Sequence, residues 1–221
     1  MQKRFYLMLL FSLVLSFWPQ AVNASEPLRE TGELKSYQGV ALGSVKDFYE
    51  NSIGGVRKVN PRTYRLRVDG LVNKPLSYSY PELKALPHQK RIVTIHCVEG
   101  WKVTVLWEGI PIGELIRRAG VEAKVNTVIF HGVDGYTTSL DYKILAGRNL
   151  LLADSANGIT LPAQLGFPLI LVAEDKWGYK WARWIERIQF TDKAGFRGYW
   201  EQRGFNHEGD ITGSQLEDES R

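Results

Sequence analysis

The stretch Ile92-Val93-Thr94-Ile95-His96-Cys97-Val98-Glu99-Gly100-Trp101 carries the only cysteine of the 221-residue chain. Its first half consists of strand formers, and Gly100 stops the pattern as a turn residue. Alternation puts Val93, Ile95 and Cys97 on one face and Ile92, Thr94 and His96 on the other. The segment therefore predicts a β-strand that delivers a thiol to a turn at its end. A sulfur held there by a rigid element, facing a pocket at the strand end, suits a metal ligand or a nucleophile. A lone cysteine also commonly acts as a small buried hydrophobe, and the strand by itself does not separate these readings. Zinc asks for three or four Cys, His or carboxylate ligands. His96 points away from Cys97, and His88, His131 and His207 are scattered. A cysteine hydrolase needs a histidine base close in space; His131 is the candidate, without a local signature.

On either side the chain reads as short strands and short helices. Tyr64, Leu66 and Val68 alternate with Arg65, Arg67 and Asp69, which predicts a half-buried strand. Ser44 with Asp47, and Ser79 with Glu82, form capping boxes that open short helices, the second ended by Pro87. Val103–Trp107 predicts another strand. Pro111 to Ala119 is the clearest helix, with Ile112, Leu115, Ile116 and Ala119 on one face and Gly120 as its stop. Thr127–Phe130 and Tyr136–Leu140 predict a hairpin turned at Asp134-Gly135. A short helix over Asp141–Ala146 is expected to stop at Gly147. Pro168–Ala173 and Trp184–Phe190 complete the strands. The class is α+β.

The N-terminus reads as a secretory signal over residues 1–24. Lys3 and Arg4 precede an apolar run from Phe5 to Trp18, and Val22-Asn23-Ala24 offers cleavage before Ser25. The run is shorter than the ~20 residues of a membrane-spanning helix. An extracytoplasmic, periplasmic location follows, with no membrane span once the signal is removed. One cysteine permits no internal disulfide, and a free thiol in an oxidising space is at risk, so burial or metal ligation would explain its retention. Losing Lys3 and Arg4 lowers the formal charge from +4 to +2, and no long basic run points to nucleic acid. Residues 25–43 read as an extended arm, 44–206 as one domain, and 207–221 as a polar, acidic tail with Glu217–Glu219 disordered.

The segments I-H-C-V-E-G-W and V-L-W-E-G-I-P-I-G-E-L-I resemble the molybdenum-ligand region of the sulfite oxidase-like molybdopterin oxidoreductases. The branch most similar contains the periplasmic methionine-sulfoxide reductase catalytic subunit. D-F-Y-E (Asp47–Glu50), D-G-Y-T-T-S-L (Asp134–Leu140), L-P-A-Q-L-G-F-P-L (Leu161–Leu169), K-W-G-Y-K-W-A-R-W-I (Lys176–Ile185) and G-Y-W-E-Q-R-G-F (Gly198–Phe205) follow in the family's order. The resemblance implies the sulfite oxidase-type fold, with mixed sheets and short helices. It implies a molybdenum–molybdopterin cofactor ligated by Cys97, oxygen-atom transfer to or from a small substrate, and a separate electron-transfer partner. It makes Tyr49, Glu50, Lys180, Trp181, Ala182 and Arg183 cofactor-contact candidates, with Lys176, Lys180 and Arg183 the basic cluster for its phosphate; His131 joins them by its place at a strand end beside a turn, where polar side chains reach a pocket. Asp134, at the turn beside His131, and Glu99, two residues after the cysteine, are further polar candidates; Arg197 and Arg203 flank the last aromatic segment.

Three features depart from the family pattern. Leu165 and Ile170 stand where relatives carry polar or arginine contacts. Lys3-Arg4 replaces the twin arginine of proteins exported with cofactor inserted. Val98-Glu99-Gly100-Trp101 lacks the arginines that follow the cysteine of sulfite oxidases, which argues against sulfite. The alternative is a non-catalytic binding protein of the same fold that has lost the cofactor.

Overall fold

Two five-stranded sheets enclose one apolar core in the computed structural model, which describes residues 29–217. Residues 1–24, where a secretory signal is expected, lie outside the described residues. The hairpin β1 (Ser36–Tyr37) and β2 (Val40–Ala41) comes first, then β3 (Arg65–Gly70), β4 (Leu76–Ser79) and α1 (Tyr80–Lys84). Next come β5 (Gln89–His96), β6 (Lys102–Pro111), α2 (Ile112–Ala119), β7 (Thr127–Gly132), β8 (Thr137–Asp141) and α3 (Tyr142–Arg148). The chain closes with β9 (Leu151–Ala156), β10 (Ile159–Thr160), β11 (Ile170–Val172) and β12 (Ile185–Thr191). One sheet runs β4-β3-β12-β7-β8, with only the β3–β12 pair parallel. The other runs β5-β6-β9, and β10 and β11 share the far edge of β9. This is the α+β arrangement that the mixture of period-2 runs and short capped helices implies.

Local chemistry sets the elements. On β3, Leu66 and Val68 are fully buried while Arg65 and Arg67 face solvent, as alternation across a pleat requires. Ser79 and Glu82 make the reciprocal capping box of α1, and Ser44 and Asp47 make one for the 3-10 turn Val45–Asp47. Gly120 closes α2 in the left-handed region at φ 62°, where glycine carries no Cβ penalty. The stop of α3 is a correction: the helix runs through Gly147 to Arg148, and Asn149 takes the left-handed position at φ 49°. Asparagine tolerates that conformation, and here its side-chain oxygen also accepts from Gly113 N–H (2.9 Å) at the start of α2. Gly109 sits at a bulge between β6 and β9, where a Cβ would lie 2.1 Å from the Leu152 carbonyl; only glycine permits that approach.

The described part of the N-terminal arm is tied to the domain by Glu33, whose side chain is fully buried. Its carboxylate accepts from Ser44 Oγ (2.6 Å), Val45 N–H (3.0 Å), Asn157 Nδ2 (3.3 Å) and Thr31 Oγ1 (3.2 Å). Burial alone would raise its pKa, but these donors together hold it below the ordinary 4.5. A depressed carboxyl pKa stabilises the fold above the unfolded value and loses that contribution as pH falls through the folded value. Glu33→Gln is therefore expected to be less stable at neutral pH but to lose less stability than the parent below pH 4.5. Urea midpoints across an acid series test this; parallel acid limbs for parent and variant would contradict it.

The tail also packs. Glu217 Oε1 accepts from His207 N–H at 2.6 Å, and Trp177 N–H donates to the Gly209 carbonyl at 2.8 Å. The disorder expected over Glu217–Glu219 does not extend to Glu217; the two residues after it lie outside the described region.

Candidate functional site

Cys97 stands one residue beyond the end of β5. Its N–H donates to the Trp101 carbonyl (2.9 Å) and its carbonyl accepts from Gly100 N–H (3.0 Å). The turn therefore closes on itself and returns the chain to β6, with Gly100 at φ 92°. The cysteine is 4% exposed and forms part of the wall of a cavity of about 250 Å³. That space is several times the ~30 Å³ share of one water, so it accommodates an organic group rather than a lone ion. The walls are largely aromatic. Phe48 and Tyr49 pack on Trp101 with ring centroids 5.9 and 6.0 Å apart; Trp181, Leu165 and Ile170 line the interior.

The polar groups form a chain across this cavity. Asn51 Nδ2 donates to Cys97 Sγ at 3.7 Å, and Asn51 Oδ1 accepts from Arg183 Nη2 at 3.3 Å. Glu50 Oε1 lies 3.7 Å from the same guanidinium, whose Nη1 donates to the Gln164 carbonyl at 3.0 Å. Burial pulls the Arg183 pKa down, and the acids Glu50 and Asp134 oppose it. Burial pushes the Cys97 thiol up; the Glu99 carboxylate adds to this, while hydrogen bonds from the Glu99 backbone and from Asn51 act the other way. Glu99 is itself fixed by the Trp101 indole N–H, 3.1 Å from Oε2. The upward shift of the thiol disfavours the thiolate, the nucleophilic form. No histidine lines the cavity among the described residues; the carboxylate facing the sulfur is that of Glu99, with Oε2 3.8 Å away.

The segment 176–184 is pinned to the cysteine strand by a parallel bridge between His96 and Trp177. The Tyr136 hydroxyl, from the β7–β8 turn, donates to the Tyr179 carbonyl. Trp184 holds φ 51°, unusual for a bulky residue. It is over-determined: its N–H donates to Gly166 O, its indole to Ala163 O at 2.7 Å, and its carbonyl accepts from Val133 N–H. This strained residue directly follows Arg183, and the guanidinium lies over its ring at 4.8 Å.

The structure brings Tyr49, Trp181 and Arg183 to the cavity with Cys97, and Glu50 to its edge through Arg183. Glu99 and Asp134 line it as well. Other candidates stand elsewhere. Lys180 is fully buried with Nζ 2.6 Å from Glu201 Oε1. Lys176 is engaged by Asp210 (2.7 Å) and the Glu208 carbonyl (2.9 Å). The basic cluster therefore separates: each lysine finds its own acid, and only Arg183 faces the cavity. Ala182 is fully buried, its carbonyl accepting from Leu171 N–H. His131 meets Gln189 Oε1 at 3.2 Å between β7 and β12 and does not line the cavity. Arg197 donates to the Glu201 carbonyl, and Arg203 stacks on Tyr199. Asn51 and Tyr136, central to the geometry, were not among the sequence candidates. Asn51 follows D-F-Y-E directly, and that adjacency was the available signal.

Residues 53–200 match the family described as the oxidoreductase molybdopterin binding domain. The chain belongs to that family. Its members are molybdopterin-binding oxidoreductases, and the fold agrees. The sulfane dehydrogenase SoxCD from Paracoccus pantotrophus superposes with a TM-score of 0.61 at 21% identity, over 84% of this chain and 58% of that one. The uncharacterized oxidoreductase YuiH of Bacillus subtilis is 31% identical over 86% of both chains. The putative protein-methionine-sulfoxide reductase subunit YedZ1 of Azospira oryzae is 36% identical, over 68% of this chain and 57% of its own. The protein-methionine-sulfoxide reductase catalytic subunit MsrP of Ralstonia nicotianae is 32% identical, over 61% of this chain and 46% of its own. The chain thus spans nearly all of the Bacillus protein but about half of the two reductase subunits.

The residues at the cavity fit such a cofactor by their chemistry. A thiol is a soft donor suited to a transition metal already carrying sulfur ligands. A guanidinium matches a phosphate or an acidic ring edge, the Asn51 amide offers a donor and an acceptor, and aromatic faces suit a flat heterocycle. Among the described residues no three His, Cys, Asp or Glu come together as a metal cage.

Proposed function

We propose that this protein is an exported molybdenum–molybdopterin oxidoreductase that transfers an oxygen atom to or from a small substrate, with Cys97 as the protein ligand. The observation that carries the reading is the Cys97 thiol in the wall of an aromatic cavity, joined through Asn51 to the Arg183 guanidinium. The cofactor, when bound, supplies two-electron oxygen-atom chemistry. The chain's own groups bind and orient: Arg183 neutralises an anionic group, Asn51 positions the thiol and the guanidinium together, and Phe48, Tyr49 and Trp101 keep water from the cysteine side. The two reductase-named relatives make a sulfoxide a reasonable first substrate. The Ralstonia protein is named as a catalytic subunit, which supports a separate electron-transfer partner here too. No helix among the described residues is long and apolar enough to cross a membrane, and the basic, apolar and small-residue pattern over residues 1–24 supports export to the periplasm.

A second reading, a cofactor-free binding protein, is favoured by one observation: Leu165 and Ile170 make the inner wall apolar and leave Arg183 as the only cation there among the described residues. Molybdenum analysis of protein from its native host separates the two, with about one metal per chain expected under the enzyme reading. Arg183→Ala is expected to weaken cofactor retention by about 1.5–3 kcal/mol, the range for a hydrogen bond to a charged group. Molybdenum retained through dialysis as well as in the parent would overturn that role.

A further inference from the structure

From Asn51 to Val68 the chain contains no Asp or Glu but carries Arg57, Lys58, Arg62, Arg65 and Arg67, all exposed. Most of these arginines have no carboxylate partner among the described residues. Among the described residues, Arg29, Arg91, Arg117, Arg118, Arg148, Arg183, Arg187 and Arg197 each have a carboxylate within 4 Å. Arg203 is stacked on Tyr199. Arg57, Arg62 and Arg67 have no ion pair, and Arg65 meets only the exposed Glu82 at 3.2 Å. Arg67 lies beside Arg187 in the parallel β3–β12 register, and Asp69, the nearest acid on β3, is already bound by Arg187 at 2.9 Å. Self-repulsion among unpaired cations is a cost that packing does not require, because exposed positions accept acids freely.

The same segment leads directly into the cavity. Asn51, Ser52 and Ile53 are cavity-wall residues, and Tyr49, 67% exposed, stands at the entrance. We propose that the basic segment Arg57–Arg67 is the docking surface for an acidic electron-transfer protein that seats beside the cavity mouth. The proposal rests on the redox reading above, in which a separate carrier exchanges electrons with the cavity. Charge complementarity supplies the occupant's chemistry: a patch of one sign speeds encounter with a partner of the other, and a carrier that must leave after each transfer suits a small, salt-sensitive interface. An anionic membrane surface is the competing occupant. Within Arg57–Arg67 no aromatic or leucine side chain is exposed of the kind with which interfacial segments enter lipid; the exposed large apolar residues nearest in sequence are Val56 and, at the entrance, Tyr49.

The test uses the full mature chain and, as probe, the soluble acidic domain of cytochrome b5. Binding is read by titration at low and at physiological salt. The triple variant Arg57→Glu/Lys58→Glu/Arg67→Glu is expected to bind about tenfold or more weakly at low salt, and the parent's affinity is expected to fall as salt rises. Turnover with a reduced viologen dye, a small cation that needs no docking face, is expected to be equal in parent and triple variant. Equal binding by parent and variant overturns the proposal, as does parent binding to phosphatidylglycerol vesicles at physiological salt without binding to the haem protein. Absent viologen turnover in the parent would instead count against the oxidoreductase reading, while the binding comparison still decides the charge of the docking partner.

Discussion

Cys97→Ser is expected to abolish turnover while leaving most of the molybdenum in the protein. Retention follows from the number of contacts at the cavity: Arg183, the Asn51 amide and the aromatic walls all remain when one sulfur is replaced by oxygen. Loss of activity follows from the donor change, because a serine oxygen is harder than a thiolate and alters the electronic state and potential of the metal it binds. Sterically the exchange is small. The cysteine is 4% exposed, its sulfur touches Asn51 Nδ2 at 3.7 Å and Glu99 Oε2 at 3.8 Å, and an oxygen is smaller than the sulfur it replaces. If the thiol were only a packing element, the variant would lose a modest amount of stability and no activity. Metal content and turnover with a sulfoxide substrate, measured side by side, separate the outcomes. Undiminished turnover in Cys97→Ser would overturn the assignment of the cysteine as ligand, whatever else the chain resembles.

The parts of this fold that could be read from the sequence are those whose cause is local. Capping boxes at Ser44 and Ser79, the glycine after α2 and the alternation of Tyr64, Leu66 and Val68 are decided by neighbours within a few residues. Strand β9 was not foreseen, because all six of its residues are buried and a strand covered on both faces shows no alternation. It even contains Asp154, which a local reading assigns to a loop. The carboxylate is tolerated because His88 Nε2 (2.8 Å) and Lys84 Nζ (3.0 Å), from the α1 region, reach it across the fold. The site divides in the same way. Cys97 was legible from strand pattern and resemblance, and Arg183 from its motif. The direction in which Lys176, Lys180 and His131 point depends on Asp210, Glu201 and Gln189, none of them near in sequence. Three cations in eight residues look like one cluster until their partners are known.

Lys180→Met is expected to cost about 3–5 kcal/mol of folding stability, the range for breaking a buried ion pair from one side. Both side chains of the Lys180–Glu201 pair are fully buried and 2.6 Å apart. Burial pushes the lysine's pKa down and Glu201 pushes it back up. Glu201 Oε1 also accepts from Thr138 Oγ1 at 2.6 Å, while Oε2 has no protein donor. Removing the ammonium therefore strands a carboxylate that the remaining hydroxyl does not neutralise. Lys180→Met combined with Glu201→Gln is expected to recover most of the loss, since the charge that lacked a partner is gone and the amide oxygen still accepts from Thr138. Urea unfolding of the parent, the single variant and the double variant measures both steps. The same proteins test where Lys180 acts. It lies between Tyr179, whose carbonyl receives the Tyr136 hydroxyl, and Trp181, a wall of the cavity, so its role in this structure is to hold the wall. A phosphate-binding lysine would behave differently: Lys180→Met would release cofactor with little change in stability, and Glu201→Gln would not restore it. Metal loss without destabilisation in Lys180→Met would return Lys180 to the cofactor; destabilisation rescued by the second substitution fixes it as the partner of Glu201.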